Sequence, residues 1–269
     1  MYEFPQDHLS MPKSPQIDDV EQGELTDCSL MSSMIGFVNS ESHKKELQTN
    51  FKDEKKKKEV TLYDPIDAEN RKQIKSLDEY ESQPNNKKRK FEVPMIFPFL
   101  PEGEATDENT KTTNKLPPVF LYSQIQPEVF SNVKENKQQP TWPMVYESAI
   151  AQQLGGEYSG LDDHEPEFMM SIVSGMKPLV FDGEDMITYL HEVKMILDDD
   201  GVVIATTLKA FDENIDNPKK FTIDHAYAVV EIEKNELTLI NPNKSKLEGV
   251  TTDDLKKFFM KLSVLPKRK

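Results

Sequence analysis

The sequence predicts an α+β protein, because helical and strand-like patterns occupy different parts of the 269-residue chain. The helical patterns, in which apolar residues recur every three or four positions, are 28–39, 142–153 and 185–197. The strand-like runs are 202–207, 221–232 and 236–240. A charged loop separates the first run from the second, and the three successive runs are predicted to form an antiparallel meander.

The chain opens with an irregular lead-in over residues 1–20, which contains prolines at positions 5, 12 and 15. A helix then begins after Asp27, the predicted N-cap, and ends near Asn39. Its apolar face consists of Leu30, Met31, Met34, Ile35 and Val38. The lysine-rich stretch 40–86 contains one predicted short strand, Val60–Tyr63. Prolines 94 and 98 restrict the apolar run 91–100 to an edge or irregular strand.

Residues 101–118 are predicted to be a polar loop, and Val119–Tyr122 a further strand. The helix Trp142–Gln153 has Pro143 in its first turn and two glycines beyond its end. This end marks a boundary between a Cys-helix subdomain with polar insertions, 21–158, and a β-rich subdomain, 159–269.

The second subdomain begins with an acidic loop and a short apolar segment, Phe168–Val173. Asp185–Leu197 is the clearest helical pattern in the chain, since its apolar residues share one face and Gly201 lies just beyond it. A further helix with a good cap is predicted to start at Thr252.

The net charge of −15 argues against nucleic acid or an anionic membrane as the main partner. Two basic runs, Lys55–Lys58 and Lys87–Lys90, resemble a nuclear address or a polyanion patch, but solvated loops are the favoured interpretation. No apolar run is long enough to cross a bilayer, and no Sec-type signal peptide is visible. We expect a cytoplasmic protein, or one delivered into a host cell by a non-Sec route.

Cys28 is the only cysteine, so the chain has no intramolecular disulfide. Its predicted position at a helix N-terminus favours the thiolate, which is the nucleophilic form of cysteine. The alternative is that Cys28 is simply a small buried apolar residue. A nucleophile also needs a histidine base and a group that orients the histidine.

His225 lies in the most strand-like segment, and Asn241 ends the following strand. If the two strands are neighbours, both side chains can reach the same rim and complete a Cys–His–Asn triad for acyl transfer. Gln22, six residues before the cysteine, is a candidate donor to an oxyanion. Taken singly, these three residues also have ordinary explanations as a core histidine, a turn asparagine and a surface glutamine.

The residue sequences of three motifs, and their order along the chain, resemble those of one protein family. Q-G-E-L-T-D-C-S-L-M is similar to the Q-G-x-x-G-D-C-W-L signature of calpain-like cysteine proteases, which have the papain fold. D-H-A-Y-A-V resembles that family's G-H-A-Y-S-V, and L-I-N-P-N its R-N-P-W. The resemblance spans roughly residues 15–245 and implies a two-subdomain papain-like fold with a peptide in the cleft. It also implies a cysteine-type endopeptidase with Cys28 as nucleophile, His225 as base, Asn241 as orienting amide and Gln22 as oxyanion donor.

The sequence departs from the family pattern at four positions near these motifs: Thr26, Ser29, Asp224 and Asn243. Asn243 replaces a tryptophan that would shield the His–Asn hydrogen bond, and Asp224 is expected to favour protonated His225. No EF-hand motif is present, so no cofactor is predicted, although calcium is possible. The five histidines (8, 43, 164, 191 and 225) lack metal-ligand spacing, so no metal site is predicted.

Two alternatives stay open. A deamidase, transglutaminase or acyltransferase would use the same triad on the same fold. A catalytically inactive binding module would explain the missing aromatic residues. The predicted partner is a protein or peptide substrate, and the sequence does not predict an oligomeric state.

Overall fold

The computed structural model describes residues 2–3, 10–22, 26–54, 57–73, 87–94, 96–97, 142–156, 158–162, 164–212 and 214–268. Its helices are α1 (Cys28–Asn39), α2 (Glu41–Asn50), α3 (Trp142–Gln153), α4 (Pro166–Ser174), α5 (Asp185–Thr188), α6 (Leu190–Asp198) and α7 (Thr252–Phe258). Its strands are β1 (Tyr2–Glu3), β2 (Phe51–Glu54), β3 (Lys57–Tyr63), β4 (Glu69–Asn70), β5 (Lys88–Pro94), β6 (Ile96–Phe97), β7 (Leu179–Asp182), β8 (Val202–Thr207), β9 (Ala226–Glu233), β10 (Glu236–Ile240), β11 (Lys246–Val250) and β12 (Phe259–Leu265). Among these described elements, no helix combines the length and apolarity that crossing a membrane requires.

A seven-stranded sheet organises the fold, with strand order β11-β10-β9-β8-β12-β7-β4. The pairs β8–β9 and β9–β10 are antiparallel, which confirms the predicted meander. Only β4 runs parallel to its neighbour, β7. The protein is therefore a mixed α+β fold.

Helices cover both faces of this sheet, and the alternation of side chains along each strand separates two cores. Val202, Ile204, Ala226 and Ala228 face α1 and belong to a core that also contains apolar side chains of α2, α3 and α4. Their neighbours in sequence point to the other face, where they pack with α5, α6 and α7. Elements from the two sides of the predicted subdomain boundary near residue 158 pack together. α4 follows this boundary but packs with α1, and β4 precedes it but belongs to the large sheet.

Helix α1 is buried on all sides over Ser29–Val38, rather than on one apolar face as the sequence predicted. Its serines satisfy their hydroxyls locally or across the interface: Ser33 Oγ donates to the Ser29 carbonyl, and Ser32 Oγ donates to the Ala226 carbonyl over 2.8 Å. Gly36 lies against β8, where an added Cβ would be 2.5 Å from Val202 Cγ1. The helix carrying Cys28 is thus seated directly on the sheet.

The three-stranded sheet β2-β3-β5 carries the described parts of both basic runs. Its cations pair with acids across the strands: Lys90 with Glu59 over 3.0 Å, and Arg89 with Asp64 over 2.6 Å. Lys58 is buried and bonds Asp53. Residues 57–58 and 88–90 lie on paired strands rather than in loops, although 88–90 are exposed to solvent as expected, and Lys58, Arg89 and Lys90 each pair with an acid.

Three predicted elements have different bounds. The strand predicted at 221–232 begins only at Ala226, because Asp224 adopts a left-handed backbone (φ +48°) that cannot continue a strand. The helix predicted at 185–197 is interrupted at Tyr189, where ψ is +15°. The apolar segment at 168–173 is part of helix α4. The predicted loop 101–118 and strand 119–122 lie outside the described residues.

We expect Gly36→Ala to destabilise the protein by about 1–3 kcal/mol, although alanine favours helices, because the new methyl group overlaps Val202 in a packed interface. Urea denaturation measures the free energy of unfolding. Asn39→Ala, an exposed change on the same helix, is the control. The double variant Gly36→Ala/Val202→Ala should recover part of the loss, and a strictly additive loss would contradict this packing argument.

Candidate active site

Cys28 is the first residue of α1 and lines a cavity of about 210 Å³ together with His225. Gln22, Thr26 and Ser29 line it beside the cysteine, and the other lining residues come from the loop before α4 and from the sheet side. Those residues are His164, Glu165, Thr206, Lys209, Thr222, Ile223, Asp224 and Ala226. Three of the four sequence-predicted site residues therefore share one cavity, and the fourth, Asn241, reaches it through His225.

His225 Nε2 lies 3.0 Å from Asn241 Oδ1. The same Oδ1 is 3.1 Å from the backbone nitrogen of Asn243, which can only donate, so this atom of Asn241 is an acceptor and must be the oxygen. Nε2 of His225 is therefore the protonated nitrogen of the neutral ring. Its Nδ1 retains a lone pair that can accept a proton.

Strand neighbours and a nearby ring fix the position of His225. Its backbone N–H donates to Thr207 Oγ1 over 2.9 Å, and its carbonyl accepts from the Thr207 backbone N–H over 2.9 Å. The Tyr227 ring contacts the imidazole edge-on, with ring centroids 4.9 Å apart. This buried tyrosine gives the imidazole an aromatic neighbour, although Asn243 stands in place of the family's tryptophan.

The segment before Cys28 is tied to the loop after Asn241. The Gln22 backbone N–H donates to the Pro242 carbonyl over 3.0 Å, and Lys244 pairs with Glu21 over 2.7 Å. These links connect the segment that carries Gln22 to the loop that orients His225. The two sides of the cavity are therefore held together by local bonds as well as by the core beneath α1.

Burial shifts both reactive groups toward their neutral forms. It raises the pKa of the Cys28 thiol, and the neighbouring Asp27 adds to this effect, while a hydrogen bond with the Ala226 backbone opposes it. The predicted depression of the thiol pKa by the helix N-terminus is thus outweighed. Burial also lowers the pKa of His225, against the hydrogen bond to Asn241, so the expectation that Asp224 favours the protonated ring was wrong. Asp224 is exposed to solvent, which screens its charge.

Asp27 occupies the N-cap position of α1, but its side chain makes no capping hydrogen bond. It is 1% exposed, and neither carboxylate oxygen has a hydrogen-bond partner in another residue that the structure describes. Burial, with a contribution from Asp162, raises its pKa to about 8. At neutral pH Asp27 is mostly the uncharged acid, which limits the negative charge beside Cys28.

Sequence reasoning missed His164, Lys209 and Ile223 as cavity residues. The acidic loop 161–166 was recognised only as a loop, and a signal for His164 was available in its position next to a predicted subdomain boundary. Ile223 is 51% exposed, which is unusual for a large apolar side chain in this protein. Its approach to Cys28 depends on the pairing of distant strands, which the sequence does not display.

Among the described residues, no group of three or more His, Cys, Asp or Glu side chains is arranged to hold a metal ion. Comparison with models of known protein families gave no match, and a search of curated proteins found no significant relative.

The contribution of Asp27 to stability should fall as pH rises, because Asp27 binds its proton more tightly in the folded state than in the unfolded chain. The loss starts above the unfolded pKa of 3.8 and is complete above about 8. Between pH 6 and 8 it amounts to about 2 kcal/mol. Urea denaturation at several pH values checks this. Asp27→Asn should remove the slope, and an unchanged slope in that variant would contradict the assignment.

Asp224 stands at φ +48°, where glycine and aspartate are tolerated and β-branched residues are strained. Asp224→Gly should therefore retain stability within about 0.5 kcal/mol, whereas Asp224→Val should cost about 1–2 kcal/mol. Thermal denaturation of both variants tests this. As a control, Thr222→Val changes a nearby exposed position outside the left-handed region. Equal losses for Asp224→Gly and Asp224→Val would contradict the backbone argument.

Proposed function

We propose that this chain is a calpain-like cysteine endopeptidase with a papain-like fold. The observation that carries the proposal is the shared cavity of Cys28 and His225, with the His225 tautomer fixed by Asn241. A thiol, an imidazole with a free Nδ1 and an amide that orients it are the requirements for nucleophilic acyl transfer. The motif resemblance over residues 15–245 supports peptide as the acyl donor.

In the acylation step, Sγ of Cys28 forms a bond to the carbonyl carbon of the peptide while His225 Nδ1 takes the thiol proton. Because both groups rest in their neutral forms, the proton moves as the sulfur attacks, and His225 acts as a general base. The imidazolium then returns this proton to the amine as the C–N bond breaks. The products of this step are a thioester and a free amine.

The negative charge on the carbonyl oxygen needs hydrogen-bond donors. As the first residue of α1, Cys28 has a backbone N–H without an acceptor inside the helix. Gln22, which lines the same cavity, supplies the second donor. Such donors act on the charge that develops in the transition state and lower the barrier there.

In the deacylation step, water attacks the thioester with His225 again as base. The C–S bond breaks, the proton returns to sulfur, and a carboxylic acid leaves. Asn241 keeps Nε2 protonated throughout, so Nδ1 always faces the reaction as the exchanging nitrogen. Attack by water rather than by an amine would distinguish a peptidase from a transglutaminase.

The proposal is tested with unfolded casein as substrate and mass spectrometry as readout. Wild-type protein should produce new peptide termini, and Cys28→Ala should produce none. His225→Ala should lose about 10²–10⁴-fold in rate. Gln22→Ala should lose about 10²–10³-fold, the amount measured when one oxyanion donor is removed.

His191→Ala, an exposed change on α6, is the matched histidine control and should retain full activity. His43→Ala is unsuitable as a control because His43 is buried. A gain of one dalton at glutamine without new termini would favour a deamidase instead. If casein is unchanged, and alkylation of Cys28 by iodoacetamide responds to neither His225→Ala nor Asn241→Ala, the triad reading is overturned in favour of a binding module.

A further inference from the structure

His164 lines the same cavity as Cys28 and His225, yet it has no part in the acyl-transfer steps above. It lies in the loop before α4. Thr26 Oγ1 donates to Asp162 Oδ1 over 2.6 Å, so this loop is bonded to the segment that leads into Cys28. The position of His164 is therefore coupled to the segment that carries the proposed nucleophile.

Two contacts fix the His164 ring. Its Nε2 lies 2.9 Å from the Gly160 carbonyl oxygen, which can only accept, so Nε2 carries the hydrogen. Its face stacks on Phe168 with ring centroids 4.4 Å apart and an interplanar angle of 12°. In the neutral ring Nδ1 is then an acceptor, and no partner for it is recorded among the described residues.

Another polar side chain of the same loop, that of Glu165, already has a partner. Glu165 pairs with Lys261 over 2.8 Å, so its carboxylate is partly neutralised by a cation outside the cavity wall. A bound peptide, in contrast, brings backbone N–H groups that must find acceptors when they leave water. A preoriented imidazole nitrogen meets that need with little loss of side-chain freedom.

We propose that His164 is a substrate-binding residue whose Nδ1 accepts a hydrogen bond from a backbone N–H of the bound peptide. This inference rests on the proposed function of the site. It assigns to His164 a role in affinity and specificity, separate from the reactivity of Cys28. Loss of one neutral hydrogen bond of this kind reduces binding by about three- to tenfold.

The test uses two alkylating reagents on the full chain at pH 8. Acetyl-leucyl-alanyl-alanyl chloromethyl ketone carries peptide N–H groups, whereas iodoacetamide reports thiol reactivity without a peptide. Rates of Cys28 labelling are followed by intact-protein mass. His164→Phe preserves a ring that can stack on Phe168 but removes the acceptor, and it should slow the ketone about three- to tenfold while iodoacetamide labelling is unchanged. His164→Asn, which can supply both a donor and an acceptor, should restore part of the loss.

A second test uses analogues of the ketone, each methylated at one backbone nitrogen. Their labelling rates distinguish a hydrogen bond to the peptide from a purely structural role of His164. One analogue should lose rate with the wild type but not with His164→Phe, because the hydrogen bond is already absent there. His191→Phe, on a helix packed against the opposite face of the sheet, should behave as wild type throughout.

The inference is overturned if His164→Phe leaves the ratio of the two labelling rates unchanged, or if every analogue loses equally in wild type and variant. The proposed function fails separately: in that case the ketone labels wild-type Cys28 no faster than iodoacetamide does, and His225→Ala changes neither rate. Comparison of the two reagents therefore separates a wrong assignment of His164 from a wrong assignment of the whole site.

Discussion

The contact between α1 and the large sheet determines the rest of the arrangement. Cys28 and His225 line one cavity because α1 packs on β8 and β9, and the close packing of helix and sheet depends on Gly36, where an added Cβ would be 2.5 Å from Val202 Cγ1. The bond from Ser32 to the Ala226 carbonyl sets the position of the helix along the strand. The proposed nucleophile and base come from positions almost two hundred residues apart, and one tightly packed interface fixes their relative placement.

Burial at this interface also shifts the pKa values of the ionisable groups beside it. Removing Cys28, His225 and Asp27 from water disfavours the charged form of each. A helix N-terminus favours a thiolate by a modest amount, and here desolvation of the thiol opposes that effect. If His225 is the proposed base, its neutral resting form requires that it take the thiol proton during the attack, and its orientation by Asn241 then matters more.

The sequence predicted α1, α3 and the meander well, because their apolar periodicity or alternation reflects the local backbone directly. It also predicted that His225 and Asn241 share one rim if their strands are neighbours, and in the structure His225 directly precedes β9 while Asn241 directly follows its neighbour β10. It did not predict that β12 separates β7 from β8, since long-range strand order leaves no local signal. The raised pKa of Cys28 was missed for a similar reason: burial of the thiol depends on packing between segments that are distant in sequence.

The position of His164 could not be predicted from the sequence either, because its ring contacts a backbone carbonyl oxygen and the face of a phenylalanine ring. A glycine at position 160 and a phenylalanine at position 168 do not by themselves indicate a contact with a histidine. By contrast, Asp224 was recognised as a departure from a glycine, and its left-handed backbone supplies the physical reason why that position accepts few residue types.

Strand β12 lies between β7 and β8 in the sheet, although it follows both by more than fifty residues in the chain. During synthesis, β7 and β8 therefore emerge without the strand that joins them, and the sheet can form only in pieces until Leu265 has left the ribosome. Folding then depends on closing long loops, which is slow compared with local helix formation. The seven-stranded sheet on which α1 packs is therefore complete only after β12 has been synthesised, so any hydrolytic activity of the site would arise only after that point.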